Sequence, residues 1–260
     1  MAEIREFAWR GLRFVRIATD VRSLIVLPLV VATIPFWRRS QKPPKERSFN
    51  VRIHGKKVPV VLAGWTEYEV LCEIAIEDDY VLRAELSPRT IVDLGAQVGL
   101  SPLFFAIAFP DAKIVAVEAD PALIDRLQRN VAGCDVTVIH AAVASQPGKI
   151  AFFHGEESWA NSTVRTRESQ EEIEVDAITI DGVRERSGID RIDLLKVDVE
   201  GAEWDLFQDG VPECVDYVIG EIHCEDGREP EQLVELLSID LSIESSRASE
   251  IATVFWGPRR

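Results

Sequence analysis

Hydrophobic and polar positions divide this 260-residue chain into short, largely apolar runs, alternating runs and one longer apolar stretch near its start. The short, largely apolar runs are Thr90–Leu94, Ile114–Glu118, Val136–Ile139, Ile192–Val197 and Val215–Ile222, rich in β-branched residues. Runs of that length and composition predict strands of a sheet, and Ile192–Val197 reads as a buried one although Lys196 interrupts it. A loop with two glycines and a helix-like segment through Ala108 separate the first two. After the second, Pro121–Val131 reads as a helix with Asp120 as its N-cap. Alternation marks Val51–Ile53 and Val58–Leu62 around His54-Gly55-Lys56-Lys57, which predicts a β-hairpin. It marks Leu241, Ile243, Ile251, Thr253 and Phe255 as well, which suits a final antiparallel pair. Glu67–Ile76 is expected to be a helix. Lys149–His154 and Glu174–Ile178 are expected to be strands of an added β element. The polar loop between them, from Gly155 to Glu172, carries Trp159, Asn161, Ser162 and Thr163 and is a candidate substrate rim. The fold class expected is α/β, a doubly wound sheet with an antiparallel last strand, preceded by a helical arm and a small hairpin/helix segment. The expected division is an arm and linker over 1–48 and one domain over 49–260, with 49–88 as hairpin and helix and 89–260 as the sheet.

Two of the apolar runs end in acids, Asp93 just before the glycine loop and Glu118 at the tip of the next strand. In a doubly wound sheet the ligand crevice lies at the carboxyl ends of the strands. A Glu at the second strand tip can accept hydrogen bonds from both hydroxyls of a ribose, so a nucleoside is expected. A dinucleotide fingerprint needs glycines at the first, third and sixth loop positions. Here those positions hold Gly95, Gln97 and Leu100, and the actual spacing is Gly95-x-x-x-Gly99. A carboxylate before the loop repels a diphosphate but suits an ammonium or sulfonium. S-adenosylmethionine has a ribose, an amino-acid end and a positive sulfur, and no phosphate. The competing reading is an ordinary turn with incidental glycines, which leaves the placement of both acids to chance.

Three blocks together resemble the FkbM-type S-adenosylmethionine-dependent methyltransferases: Val92–Ser101, Val117–Pro121 and Ile192–Glu203, the last reading Ile-Asp-Leu-Leu-Lys-Val-Asp-Val-Glu-Gly-Ala-Glu. The resemblance runs from about Glu67 to Ile222 and implies a class I methyltransferase (Rossmann-like) sheet. This sequence departs from the family pattern at Gln97, usually Asn, and Ala119, usually Pro. The resemblance implies S-adenosyl-L-methionine as cofactor, held by Asp93, Gly95, Ala96, Gln97, Val98, Gly99, Ser101, Glu118 and Ala119. It also places the adenine at the turn His140–Val143, where Ala141 and Ala142 leave room for a flat ring, and makes Glu73 and Tyr80 lid residues.

Methyl transfer from a sulfonium is an in-line displacement that needs alignment and a proton acceptor. Asp198 at the end of its strand, with Glu221 and His223 at the exit of the next, are the candidate catalytic groups. His223 is suited to act as base because an unperturbed imidazole titrates near neutrality, a packing or hydrogen-bonding role being the alternative. Glu200 and Glu203 are expected in the first turn of the following helix, where the dipole favours acids. No resident metal is expected, although Asp198, Glu221 and His223 could share a divalent ion. The reading is an O-methyltransferase acting on a sugar hydroxyl or similar small oxygen acceptor, with a lipid-linked glycan as one form of it. Two alternatives are a nucleoside-binding module without catalysis and a nicotinamide-dependent oxidoreductase, the latter opposed by Gln97 and Leu100.

Charge sharpens this picture. The formal net is −15, yet residues 1–48 hold ten Lys/Arg against four Asp/Glu, a net of +6 that leaves −21 for the rest. So acidic a domain argues against a nucleic-acid partner, and acid-rich, lysine-poor composition suits a salty cytoplasm. The four cysteines, Cys72, Cys134, Cys214 and Cys224, show no paired spacing and read as reduced thiols. Ile4, Phe7, Ala8, Gly11, Leu12 and Val15 recur at helical spacing opposite Arg5, Arg10, Arg13 and Arg16. Leu24–Trp37 is then nearly all apolar, interrupted by Pro28 and closed by Arg38 and Arg39. At about 14 residues it is shorter than the roughly 20 that spanning requires. Residues 1–39 therefore have two readings, a peripheral arm on the inner face of a membrane or an arm packed on protein, including a homodimer partner.

Overall fold

The computed structural model describes residues 11–40, 45–77, 86–154, 171–223, 229–243, 245–248 and 252–260. Tyr80, Cys224, Ile251, Arg5, Arg10 and the rim residues Trp159, Asn161, Ser162 and Thr163 lie outside them. The chain forms two compact units, one of residues 1–86, 98–110 and 125–134, the other of 87–97, 111–124 and 135–260.

In the first unit, helix α1 (Val21–Ser40) precedes an antiparallel hairpin, β1 (Arg47–Ile53) with β2 (Lys56–Leu62). Asp20 starts α1 by accepting from the backbone N–H and the hydroxyl of Ser23 at 2.9 and 2.8 Å. The Ser23 hydroxyl in turn accepts from the Asn50 N–H of β1 at 2.9 Å, and Ala18 bridges to Val51. The start of the arm is thus stitched to the hairpin. Leu27, Val30, Val31 and Ile34 of α1 are buried, whereas Val21, Ile25, Leu29 and Phe36 are exposed. The helix runs on through Pro28 and Pro35. Among the described residues no helix is long and apolar enough to cross a membrane. Helix α2 (Trp65–Cys72) passes into a π-helical turn, Glu73–Glu77, so the expected single helix changes pitch at Glu73. Helix α3 (Leu100–Ala108) completes the unit with the end of α4 (Pro121–Asn130). There the buried Asn130 ties β2 to the glycine loop: its amide accepts from Val61 N–H at 2.6 Å and donates to the Val98 carbonyl at 2.7 Å.

The second unit is built on a seven-stranded sheet, ordered β11-β12-β10-β9-β3-β4-β5. Its strands are β3 (Thr90–Leu94), β4 (Lys113–Glu118), β5 (Val136–His140), β9 (Leu194–Val197), β10 (Tyr217–His223), β11 (Ser245–Ala248) and β12 (Ala252–Pro258). The order is parallel from β5 to β10, while β12 runs antiparallel to both of its neighbours. The chain winds outward from β3 in one direction through β4 and β5, then returns to lay β9 on its other side. That reversal opens a crevice at the carboxyl ends of β3 and β9. The core comes from the predicted runs, with Val92, Leu94, Val115, Val117, Leu195, Val197, Val218 and Ile222 fully or almost fully buried. Helices α5 (Ile180–Ser187) and α7 (Pro230–Leu237) supply Val183, Leu233 and Leu237 to the same cluster. A smaller sheet places β6 (Ala142–Val143) parallel to β8 (Glu171–Ile178), which pairs antiparallel with β7 (Gly148–His154).

Candidate active site

The cleft at the strand ends is lined by Gly95, Gln97, Glu118, Ala119, Leu123, Ala141, Ala142, Val143 and Phe152, and continues to Asp198, Glu200 and Ala202. Its geometry starts at the loop after β3. Gly95 has φ +78°, and a Cβ there would stand 1.7 Å from the Asp198 carbonyl oxygen. This glycine is therefore required by the close passage of two strand ends. Gly95 and Ala96 both donate to the Val117 carbonyl at 3.0 Å. Gln97 follows in a left-handed conformation (φ +50°), and its N–H donates to Glu118 Oε2 at 2.7 Å. The Asp120 N–H donates to the other carboxylate oxygen at 2.8 Å. Two backbone donors thus fix the Glu118 carboxylate at the tip of β4. Each oxygen keeps a lone pair for a further donor. Burial raises its pKa to about 7 against the pull of those N–H groups.

These residues fit a nucleoside. Glu118 offers acceptors to vicinal hydroxyls, while Ala119, Ala141, Ala142 and Val143 form a small-residue wall beside Phe152. Among the described residues the buried Gln97 Oε1 atom meets no hydrogen-bond donor, which makes it an acceptor suited to a hydroxyl or ammonium of a bound ligand.

Asp93 sits differently from expectation. It is fully buried, and its carboxylate faces Lys196 Nζ at 3.2 Å. The same ammonium donates to the Gly95 carbonyl at 3.0 Å and lies 3.5 Å from Asp198. The lysine that interrupts the apolar run of β9 is thus the buried cation that holds Asp93, the glycine loop and Asp198 together. The charge of Asp93 is met inside the protein. Val98, Gly99 and Ser101 belong to the first unit, where Gly99 (φ +84°) caps α3 and Ser101 is buried in its opening turn. Glu73 lies in the π-helical turn of that unit.

Beyond Asp198 the chain makes a tight turn instead of opening the helix directly. Glu200 and Gly201 take φ +53° and +104°, and helix α6 (Glu203–Leu206) starts only after them. Glu200 is therefore outside the helical turn that would have explained it by dipole alone, and it lines the cleft. Glu203 is fully buried; it accepts from the N–H groups of Val199 and Gly201 at 3.1 and 2.9 Å and binds His223 Nδ1 at 3.1 Å. The other ring nitrogen, Nε2, lies 3.3 Å from Glu200. One ligand atom each from Asp198, Glu200 and His223 lies within 4.8 Å of the others. Glu221 stands two residues before His223 on β10, and burial raises its pKa.

The imidazole is not poised near neutrality. Desolvation pulls its pKa down, but the Glu203 hydrogen bond and the charges of Glu200, Glu203 and Asp198 outweigh that and push it up to about 10. Burial also raises Glu200 to about 8, although His223 opposes the shift. The acids around His223 thus favour its protonated form. The acids at the strand ends, more than the ring's own basicity, set the proton affinity of His223.

The model for the methyltransferase FkbM domain matches residues 93–241. The chain belongs to the FkbM methyltransferase family. It is 32% identical over 157 residues to methyltransferase sdnD of Sordaria araneosa, covering 47% of this chain and 60% of that protein. It is 26% identical over 159 residues to methyltransferase 1 of Beauveria bassiana (strain ARSEF 2860), covering 52% and 64%. The match thus spans less than two thirds of either relative. Among solved structures, methyltransferase FkbM from Methylobacillus flagellatus KT aligns at 14% identity and TM-score 0.43, over 98% of this chain and 60% of that one. The fold is an α/β sheet, and S-adenosylmethionine is the cofactor.

Proposed function

We propose that this methyltransferase transfers the methyl group to oxygen, on a sugar hydroxyl or similar small acceptor. The observation that carries the reading is the convergence of Asp198, Glu200 and His223 at the end of the cleft, with Glu221 two residues before His223 on β10. Bound S-adenosylmethionine supplies an electrophilic methyl on a positive sulfur. Glu118 would hold the ribose, with Gln97 and the alanine wall of Ala119, Ala141 and Ala142 beside it. A hydroxyl acceptor must lose its proton as the methyl arrives. Asp198 is the proton acceptor in this reading, with Glu221 next to it. His223, oriented by Glu203, opposes the burial that raises the pKa of Glu200 and Glu221. The exposed apolar face of α1 supports an acceptor presented on a lipid-linked glycan.

The test is transfer from methyl-labelled S-adenosylmethionine to a panel of glycosides with matched amine and thiol analogues. Methyl ethers identified by mass spectrometry are expected, and label only on nitrogen or sulfur would overturn the reading. A second reading is favoured by the convergence of Asp198, Glu200 and His223, a donor set able to hold a divalent cation that acidifies the hydroxyl. Turnover lost to a chelator and restored by magnesium or manganese would select it over direct proton transfer to Asp198.

A further inference from the structure

The catalytic cleft leaves one large feature unused. Helix α1 is apolar around its whole circumference, yet only one side of it is covered. Leu27, Val30, Val31 and Ile34 are 0–5% exposed, whereas Val21 is 73%, Ile25 56%, Leu29 62% and Phe36 55% exposed. Val21, Ile25 and Leu29 follow one another at four-residue spacing, and Phe36 returns to the same face two turns on. The strip extends about 22 Å along the helix at 1.5 Å per residue. Leu24 on its flank, and Leu12 and Val15 just before the helix, are exposed too. A contiguous apolar surface of this kind on a folded chain marks an interaction site.

Charge identifies the occupant. Arg16 and Arg22 are exposed at the start of the strip, and Arg38 and Arg39 follow Phe36 in sequence at its other end. Residues 1–48 are the only strongly basic part of a chain whose remainder carries −21. An apolar strip with exposed Arg16 and Arg22 at its start, and a basic sequence beyond it, matches an anionic bilayer that takes apolar side chains in its acyl boundary and guanidinium groups at its phosphates. A second copy fits less well. A two-fold contact sets one patch against itself, so the basic segments would meet like charges, and two strongly acidic domains would be brought together.

We infer that α1 lies in the plane of an anionic membrane surface and docks the enzyme there through Val21, Ile25, Leu29 and Phe36. Crossing the membrane is not involved, and the inference does not depend on which atom of the acceptor is methylated.

The test is co-sedimentation of the full chain with vesicles of phosphatidylcholine and phosphatidylglycerol (about 3:1) or of phosphatidylcholine alone, at physiological salt. The full chain is expected to sediment with the anionic vesicles and to partition less into the neutral ones. The double variant Ile25→Glu/Leu29→Glu, which changes only exposed positions, should lose at least tenfold in partitioning. Its circular dichroism and its affinity for S-adenosylhomocysteine should remain unchanged. Charge reversal at Arg16 or Arg22 should cost about fivefold each on anionic vesicles, the factor equivalent to about 1 kcal/mol per basic residue. Failure of the full chain to bind vesicles would overturn the inference, as would equal binding by the double variant. A lipid-free dimer seen by light scattering that the double variant converts to monomer would assign the strip to a second copy and overturn it too.

Discussion

Glu118 carries the plainest consequence at the scale of single residues. Both of its oxygens are anchored by backbone N–H groups, so its position does not depend on the ligand. Glu118→Ala should weaken S-adenosylhomocysteine by about 1.5–3 kcal/mol, the range for hydrogen bonds to a charged acceptor, as calorimetry would show. Unchanged affinity would place the ribose elsewhere. Glu118 was legible because an acid that closes an apolar run is conspicuous. His223 was legible as a site residue but not in its protonation. Its pKa rests on Glu203 and Glu200, and their approach to it depends on the left-handed turn at Glu200 and Gly201. No apolar periodicity encodes that turn. The His223 imidazole should stay protonated past pH 8 by nuclear magnetic resonance titration, and in Glu203→Gln its pKa should fall toward the ordinary range. A wild-type midpoint near 6.5 would contradict the arrangement.

Elements were the part best read from sequence. The five apolar runs became β3, β4, β5, β9 and β10, with the edge strand β5 only partly buried, and the alternating hairpin became β1 and β2. Strand runs are legible because burial on both faces demands apolar residues throughout. Glu73 and Lys196 show where that logic stops. A change of helical pitch at Glu73 has no hydrophobic signature, and a lysine inside a strand reads as an interruption until its partners Asp93 and Asp198 are seen. Gly95 belongs to this scale because its small size serves two strands at once. Gly95→Ala would press a methyl group onto the Asp198 carbonyl and force a positive-φ backbone on alanine. A loss of at least about 2 kcal/mol in denaturant unfolding is expected, together with loss of cofactor binding. A variant of wild-type stability would show that β3 and β9 separate easily at their ends.

For the whole molecule, charge and proton binding set the response to conditions. A domain of net −21 repels itself, and salt screens that repulsion. The melting temperature should therefore rise as sodium chloride is added from low ionic strength; a fall would mean that ion pairs outweigh the net charge. The folded chain also holds protons that the unfolded chain releases, since His223 is raised to about 10, Glu200 to about 8 and Glu118 to about 7. The His223 contribution is complete below about 6.5 and is lost as pH rises through about 10. The two glutamates lose theirs between their ordinary range and their raised values. All three act in one direction, so stability should decline between pH 6 and pH 10.

In the proposed reaction Asp198 takes the proton of a hydroxyl beside the bound cofactor. Its most direct test is Asp198→Asn with a glycoside acceptor, with turnover and S-adenosylmethionine affinity measured on the same protein. A fall in turnover of about 10²–10⁴-fold is expected, with cofactor affinity changed far less. Turnover within a few-fold of wild type would contradict the account, because no proton would then pass through that carboxylate.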